Sequence, residues 1–249
     1  MEPQRDVLVV DDEPVVIESV KRVLGSRWTC EGAPDIDTAI CKLWQNSFSV
    51  VLVDLLMPGP SGIEFLGMVK DKMPDTLLIL FTGYSTSSTV LKAMQLVVFD
   101  FLSKPFDFDE LSSIVSRAMR YKEWRQNKMS ELEQFRHHLA APHVYKMGDH
   151  CWVNKKDKGA FIGLGETFLP LYDHIQKIKL NVTFYLKQGE PCCYLIDDEE
   201  SVHQVWTPVN GQVIEMKKTL DSTNWHLNPL DQWILSVEPN NWEADIQNL

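Results

Sequence analysis

The chain has 249 residues, with 24 Lys and Arg against 35 Asp and Glu and a formal net charge of −11. No window approaches the roughly 18 consecutive apolar residues of a membrane helix, and the acid surplus opposes bulk affinity for nucleic acid. Five cysteines without CxxC spacing make a poor disulfide framework, and Met1-Glu2-Pro3-Gln4-Arg5-Asp6 is too polar for a signal peptide. The expectation is a cytoplasmic protein with reduced thiols and neither membrane nor nucleic acid among its partners. The length lies between one large domain and two modest ones, and strand–helix alternation confined to the first half favours two.

In chain order, Val7-Leu8-Val9-Val10 reads as a buried strand that ends in Asp11-Asp12-Glu13-Pro14. The apolar set Val16, Ile17, Val20, Val23 and Leu24 recurs at helical spacing, with Pro14 suited to the first turn and Gly25 to the stop. Trp28-Thr29-Cys30 is a short strand candidate, and 35–46 a second helix facing the sheet with Ile36, Ala39, Ile40 and Leu43. Val50-Val51-Leu52-Val53 is the most apolar run, and it stops at Asp54 ahead of Leu55-Leu56-Met57-Pro58. A third helix over 62–73 ends at Pro74, a strand over 77–81 ends in Thr82, and a fourth helix covers 87–97. The last strand, Phe99-Asp100-Phe101-Leu102, runs into Ser103-Lys104-Pro105-Phe106.

This order predicts an α/β fold with a five-stranded, parallel, doubly wound sheet. Ligands of such sheets bind at the carboxyl ends of the strands. There the acids Asp11, Asp12 and Asp54 would converge, and oxygen-only ligands suit Mg²⁺. The same edge gains the hydroxyl of Thr82 and the ammonium of Lys104, partners for a transferred phosphoryl group.

Over roughly the first 120 residues these motifs resemble, in order and spacing, the receiver domain of two-component response regulators. The resemblance implies phosphorylation of Asp54 by a sensor histidine kinase, Mg²⁺ held by Asp11, Asp12 and Asp54, charge neutralisation by Lys104, and switching through Thr82 and Phe101. It implies no enzyme beyond the domain's own phosphotransfer and dephosphorylation. One departure is Val97-Val98, where receivers commonly carry a small Gly-Ala pair.

Asp107 is a helix N-cap candidate, and no Pro or Gly follows until Pro142. Leu111, Val115, Ala118, Lys122, Arg125, Met129, Leu132, Phe135 and Leu139 step by threes and fours, predicting one long helix. Its stripe serves a homodimer coiled coil, a docking surface for the second domain, or packing on the chain's own receiver. The domain expectation is a receiver over 1–122, a helical linker over 123–146 and a mainly β domain over 147–249.

The last part has short β-rich runs, among them 182–186, 192–196, 202–206, 212–216 and 233–237, with turn signals at Gln188-Gly189-Glu190-Pro191 and Asn210-Gly211. They predict a sandwich or flattened barrel. Asp149-His150-Cys151-Trp152-Val153, Gly163-Leu164-Gly165, Gly189-Glu190-Pro191, Thr207-Pro208-Val209-Asn210-Gly211 and Trp233-Ile234-Leu235 resemble, in that order, the glycine-cleavage H protein of the biotinyl/lipoyl-carrier fold. In that family a hairpin lysine carries lipoate. Counting back from Pro208 places that position at Glu200, while matching Glu200-Ser201-Val202-His203 to the family's motif places it at His203. Neither is a lysine, and none occurs between Lys187 and Lys217, so no lipoate is expected.

The functional expectation is therefore a response regulator whose non-lipoylated β domain binds an unknown protein target, with Asp197-Asp198-Glu199-Glu200 as an acidic surface or a solvated turn. The rivals are a phosphorylation-controlled transcription factor and a lipoyl carrier of one-carbon metabolism. Residues 147–249 hold eight Lys, no Arg and fifteen Asp or Glu, a net of −7, which opposes DNA binding.

Overall fold

The computed structural model describes residues 5–58, 62–83, 98–156, 159–181, 184–218, 220 and 228–249. They divide into two compact units, the first ending at Lys122 and the second beginning at Glu123.

In the first unit, strands β1 (Arg5–Val10), β2 (Cys30–Ala33), β3 (Phe48–Val53), β4 (Leu77–Thr82) and β5 (Asp100–Ser103) form one sheet in the order β2-β1-β3-β4-β5. Every pairing is parallel. All six residues of β3 are buried, as a central strand covered on both faces requires. Helices α1 (Pro14–Leu24), α2 (Ile36–Gln45) and α3 (Gly62–Lys72) follow the first, second and third strands. Pro14 stands in the first turn of α1, and the Asp35 carboxylate caps α2 by accepting from Thr38 N at 2.6 Å. The expected fourth helix over 87–97 lies outside the described residues, whereas Val98 just beyond it is fully buried.

Two sequence expectations shift here. The edge strand begins at Cys30 rather than Trp28, because the amides of Arg27 and Trp28 still bond back to the Leu24 carbonyl and keep the chain turning. The long helix is also not continuous. It runs as α4 (Phe108–Asn127) and α5 (Met129–Leu139), and Lys128 between them leaves helical geometry with φ −126° and ψ 33°. Asp107 does start the first of these, accepting from Asp109 N at 2.8 Å. The stripe is then used twice. Leu111, Val115 and Ala118 are buried in the core of the first unit, and Leu132, Phe135 and Leu139 in that of the second. A coiled-coil dimer through those three α5 residues would have to withdraw them from that core.

The second unit has two antiparallel sheets. Strands β6 (Val144–Met147), β7 (Cys151–Lys156), β8 (Gly159–Leu164), β10 (Tyr185–Leu186), β13 (Gly211–Met216) and β14 (Trp233–Pro239) form a sheet of order β10-β13-β14-β8-β7-β6. Strands β9 (Ile175–Leu180), β11 (Pro191–Asp197) and β12 (Val202–Trp206) form the other, in the order β12-β11-β9. Trp152 is fully buried in their common core, and Gly163 on the neighbouring strand leaves room for it, since a Cβ there would overlap the indole. Arg136 of α5 clasps the buried Glu166 with two hydrogen bonds of 2.6 Å, a bidentate geometry that fixes α5 to the 3-10 turn Glu166–Leu171 that follows β8.

In the first unit α4 is anchored by a buried ion pair. Arg117, whose side chain is fully buried, donates to the Asp100 carboxylate on β5 and lies against the Phe99 ring, 5.3 Å from its centroid. Removing one partner of such a pair costs about 3–5 kcal/mol, while replacing both by apolar groups of similar volume is nearly neutral. Arg117→Met is therefore expected to lower the stability of the first unit by that amount, and Asp100→Leu combined with Arg117→Met to recover most of it. Amide hydrogen exchange of β1, β3 and β4 in the full chain measures both, and equal protection in the single variant and wild type would contradict the assignment.

Candidate functional site

The register of the parallel sheet builds the site. Val10 pairs with Val53, so Asp11 and Asp54, one residue further along each chain, leave adjacent strands at the same edge. Asp54 N donates to the Val10 carbonyl at 3.0 Å, which holds that step. Thr82 pairs with Ser103 across β4 and β5, so Lys104 departs from the same edge two strands away.

The three side chains meet. Lys104 Nζ donates to Asp11 Oδ2 and to Asp54 Oδ2, each at 2.6 Å. The second oxygen of each carboxylate accepts from the backbone: Asp11 Oδ1 from Glu13 N at 2.8 Å, and Asp54 Oδ1 from Leu56 N at 2.9 Å. Asp11 is 0% and Asp54 5% exposed, so both acids are oriented from two sides in a largely dry site. Burial by itself pulls the Lys104 ammonium down, but the hydrogen bonds and charges of Asp11 and Asp54 outweigh it and raise its pKa above the ordinary lysine value. Lys104 is therefore a fixed positive charge between two acids.

The other expected site residues are placed less uniformly. Asp12 is exposed, and among the described residues no group of three or more His, Cys, Asp or Glu is arranged to hold a metal ion. Asp12 thus stands beside the Asp11–Asp54 pair, as the next residue after Asp11, since consecutive residues of an extended chain face different ways. The pair still suits Mg²⁺, which keeps several waters and takes only one or two carboxylates. Thr82 closes β4 opposite Ser103, and its side chain lies outside the described residues. Phe101 is buried on β5 at 1% exposure. Phe81 joins the site without any sequence signal, its ring lying beneath the Lys104 ammonium, 4.8 Å from the centroid. Nothing in a buried strand pattern separates such a ring from ordinary core.

In the second unit the hairpin of β11 and β12 turns through 198–201. Glu200 lies in that turn with φ +62°, whereas His203 is on β12 opposite Leu195, 2% exposed. Of the two carrier positions, Glu200 is therefore at the tip and His203 is inside. The acidic run also divides. Asp197 is buried, with Oδ1 accepting from Glu199 N at 3.0 Å and Ser201 N at 2.8 Å, and with Oδ2 paired with His203 Nε2 at 3.0 Å. Burial pushes its carboxyl up, but the bonds to His203, Ser201 and Glu199 prevail and hold it below the usual range. Asp197 is the internal strut of the turn, and Asp198, Glu199 and Glu200 form its exposed part.

Comparison with known proteins reaches the first unit. The family described as "Response regulator receiver domain" matches residues 7–116. The C4-dicarboxylate transport transcriptional regulatory protein DctD of Pseudomonas aeruginosa is 34% identical over 123 residues, 48% of this chain and 26% of that protein. The DNA-binding transcriptional regulator NtrC of Salmonella typhimurium is 33% identical over 128 residues, covering 51% and 27%. The chain thus spans about a quarter of the length of these relatives. The acid tolerance regulatory protein ActR of Rhizobium meliloti is 28% identical over 130 residues, 51% of this chain and 67% of that protein. Among solved structures, the BeF3-activated DrrB receiver domain is 27% identical, covering 47% of this chain and 98% of that one, with a TM-score of 0.44. The family match, the sequence relatives and the parallel sheet with its acid edge agree that residues 7–116 form a response regulator receiver domain.

Proposed function

We propose that the chain is a response regulator of a two-component phosphorelay, phosphorylated on Asp54 by a sensor histidine kinase and acting through protein contacts of its second domain. The observation that carries this reading is the Lys104 ammonium held between the carboxylates of Asp11 and Asp54. An Asp54 oxygen attacks the phosphorus of the kinase's phosphoimidazole, an O–P bond forms as the N–P bond breaks, and the imidazole leaves with its electron pair. Lys104 balances the charge that grows on the phosphoryl oxygens. Leu56 N keeps Asp54 oriented through its Oδ1, and the burial of both acids limits the access of water. Thr82 senses the phosphoryl oxygens through its hydroxyl and Phe101 swings inward with it, roles carried over from the family resemblance. Mg²⁺, held by Asp11 and Asp54 with Asp12 beside them, supplies further charge neutralisation when bound.

For the second domain, the H-protein resemblance and the tip position of Glu200 support an unmodified relative of a carrier fold, with the exposed acids Asp198, Glu199 and Glu200 facing a basic protein partner. A carrier would need a primary amine at the tip, where the chain has a carboxylate. DctD and NtrC are named as transcriptional regulators, but their likeness covers only about half of this chain. The net of −7 over 147–249 works against a DNA-binding output. No described helix is long and apolar enough to cross a membrane.

With Mg²⁺ and a small acyl phosphate, the intact mass is expected to rise by one phosphoryl group, and Asp54→Asn to abolish the gain. Labelling of the variant at the wild-type level would overturn the assignment. Incubation with a lipoate ligase and activated lipoate is expected to leave the mass unchanged, with Glu200→Lys as the variant that presents an amine at the tip. Stoichiometric lipoylation of the wild-type chain would restore the carrier reading.

A further inference from the structure

Lys104 has a third neighbour besides its two carboxylates. An ammonium offers three donors, and two are taken by Asp11 and Asp54. The remaining side of the group lies over the face of Phe81, 4.8 Å from the ring centroid. Phe81 is on β4, one residue before Thr82, and only 1% exposed. The Lys104 side chain is itself 16% exposed, so water competes weakly for the ammonium, the condition in which a cation and a ring face attract most.

The ring is held from its own flank. Phe106, two residues beyond Lys104, meets Phe81 edge to face at 6.0 Å and 83°. Phe108 meets Phe106 at 6.4 Å and 73°. Edge-to-face pairs are favoured because the positive rim of one ring meets the negative face of another. The segment carrying Lys104 thus returns to brace the ring on which its ammonium rests.

Phosphorylation changes one of the ammonium's two carboxylate partners, since an Asp54 oxygen becomes the bridging oxygen of an acyl phosphate and the negative charge moves outward to the phosphoryl group. The ring is the partner that does not change. We propose that Phe81 is a positioning residue for Lys104, its ring face holding the ammonium at the acid edge both before and after phosphoryl transfer. This rests on the reading of Asp54 as the acceptor. The competing account is that Phe81 only fills the core, as one member of the buried cluster that also holds Ile79, Leu102 and Leu111. Core filling depends on shape and is indifferent to ring electronics.

Pentafluorophenylalanine placed at position 81 of the full chain preserves the approximate shape and inverts the ring's quadrupole. The expected result is a fall in the order parameter of the Lys104 ammonium from ¹⁵N relaxation at fixed pH. The maximal phosphorylation rate with acyl phosphate and Mg²⁺ should fall by between about two- and thirty-fold. Half-saturation by the donor should hold and the thermal transition should stay within a degree or two. Phe81→Trp restores both readouts towards wild type, and Phe81→Leu behaves like the fluorinated chain. An unaltered order parameter and rate in the fluorinated chain would overturn the proposal, as would a rate loss that follows only thermal stability across all three variants. The relaxation measurement needs no phosphoryl transfer. If wild-type Asp54 accepted no phosphoryl group, the acceptor reading would fail on that result while the order parameter still decided whether the ring holds Lys104.

Discussion

Two carboxylates at the ends of neighbouring buried strands repel each other at close range and lack the water that would screen them. The receiver meets that constraint with one cation. Lys104 is shared between Asp11 and Asp54 at equal distances of 2.6 Å, and a backbone amide takes the other oxygen of each acid. The rest of the unit serves this arrangement. The pairing of Val10 with Val53 and of Thr82 with Ser103 delivers the three groups to one edge, and a slip of one residue in either register would turn an acid or the lysine towards the opposite face. Charge balance and strand register are thus the same requirement seen at two scales.

A second buried pair lies behind the first. Asp100, the first residue of β5, makes the ion pair to Arg117, and Lys104 follows directly on Ser103, the last residue of the same strand. Phe101 N donates to Asp100 Oδ1 at 2.7 Å, which joins the strand carrying the proposed switch aromatic to the anchor of α4. One short strand therefore couples the lysine of the site, a buried aromatic and the helix leading to the second unit.

The second unit solves a different problem, the seating of helix and turn on two antiparallel sheets. Arg136 and Glu166 seat α5, and Asp197 ties the hairpin from within. A β-bulge between Pro191 and Cys193 accompanies the burial of both Cys192 and Cys193 on β11, their sulfurs 4.0 Å apart. Burial raises the Cys151 thiol well above its ordinary value, and the hydrogen bond that the neutral Cys193 thiol shares with Cys192, together with burial, does the same for Cys193, so both stay protonated and behave as small apolar groups. Asp245 of the short helix Trp242–Ile246 ties down the end of the loop between β12 and β13, accepting from Asn210 N at 2.8 Å.

Much of the receiver was legible in the chain itself. Apolar runs ending in Asp11, Asp54, Thr82 and Lys104 are local patterns, and right-handed crossovers leave few ways to order the strands between them. What local pattern could not decide was whatever depends on a distant partner. The stripe from Leu111 to Leu139 is compatible with one helix, yet it breaks at Lys128, where neither Pro nor Gly marks the place, because its two ends are buried in different cores. Asp12 and Asp54 look equivalent as strand-end acids, but only the latter is brought onto Lys104 with Asp11. Asp197 reads as one of four surface acids until its neighbours in space turn it inward, and Phe81 reads as core until the lysine 23 residues later is found above it. Composition and periodicity determined the strands, the helices and the edge at which the charged groups gather; tertiary packing decided which of those groups touch, since burial and pairing energies exist only between residues the sequence keeps apart.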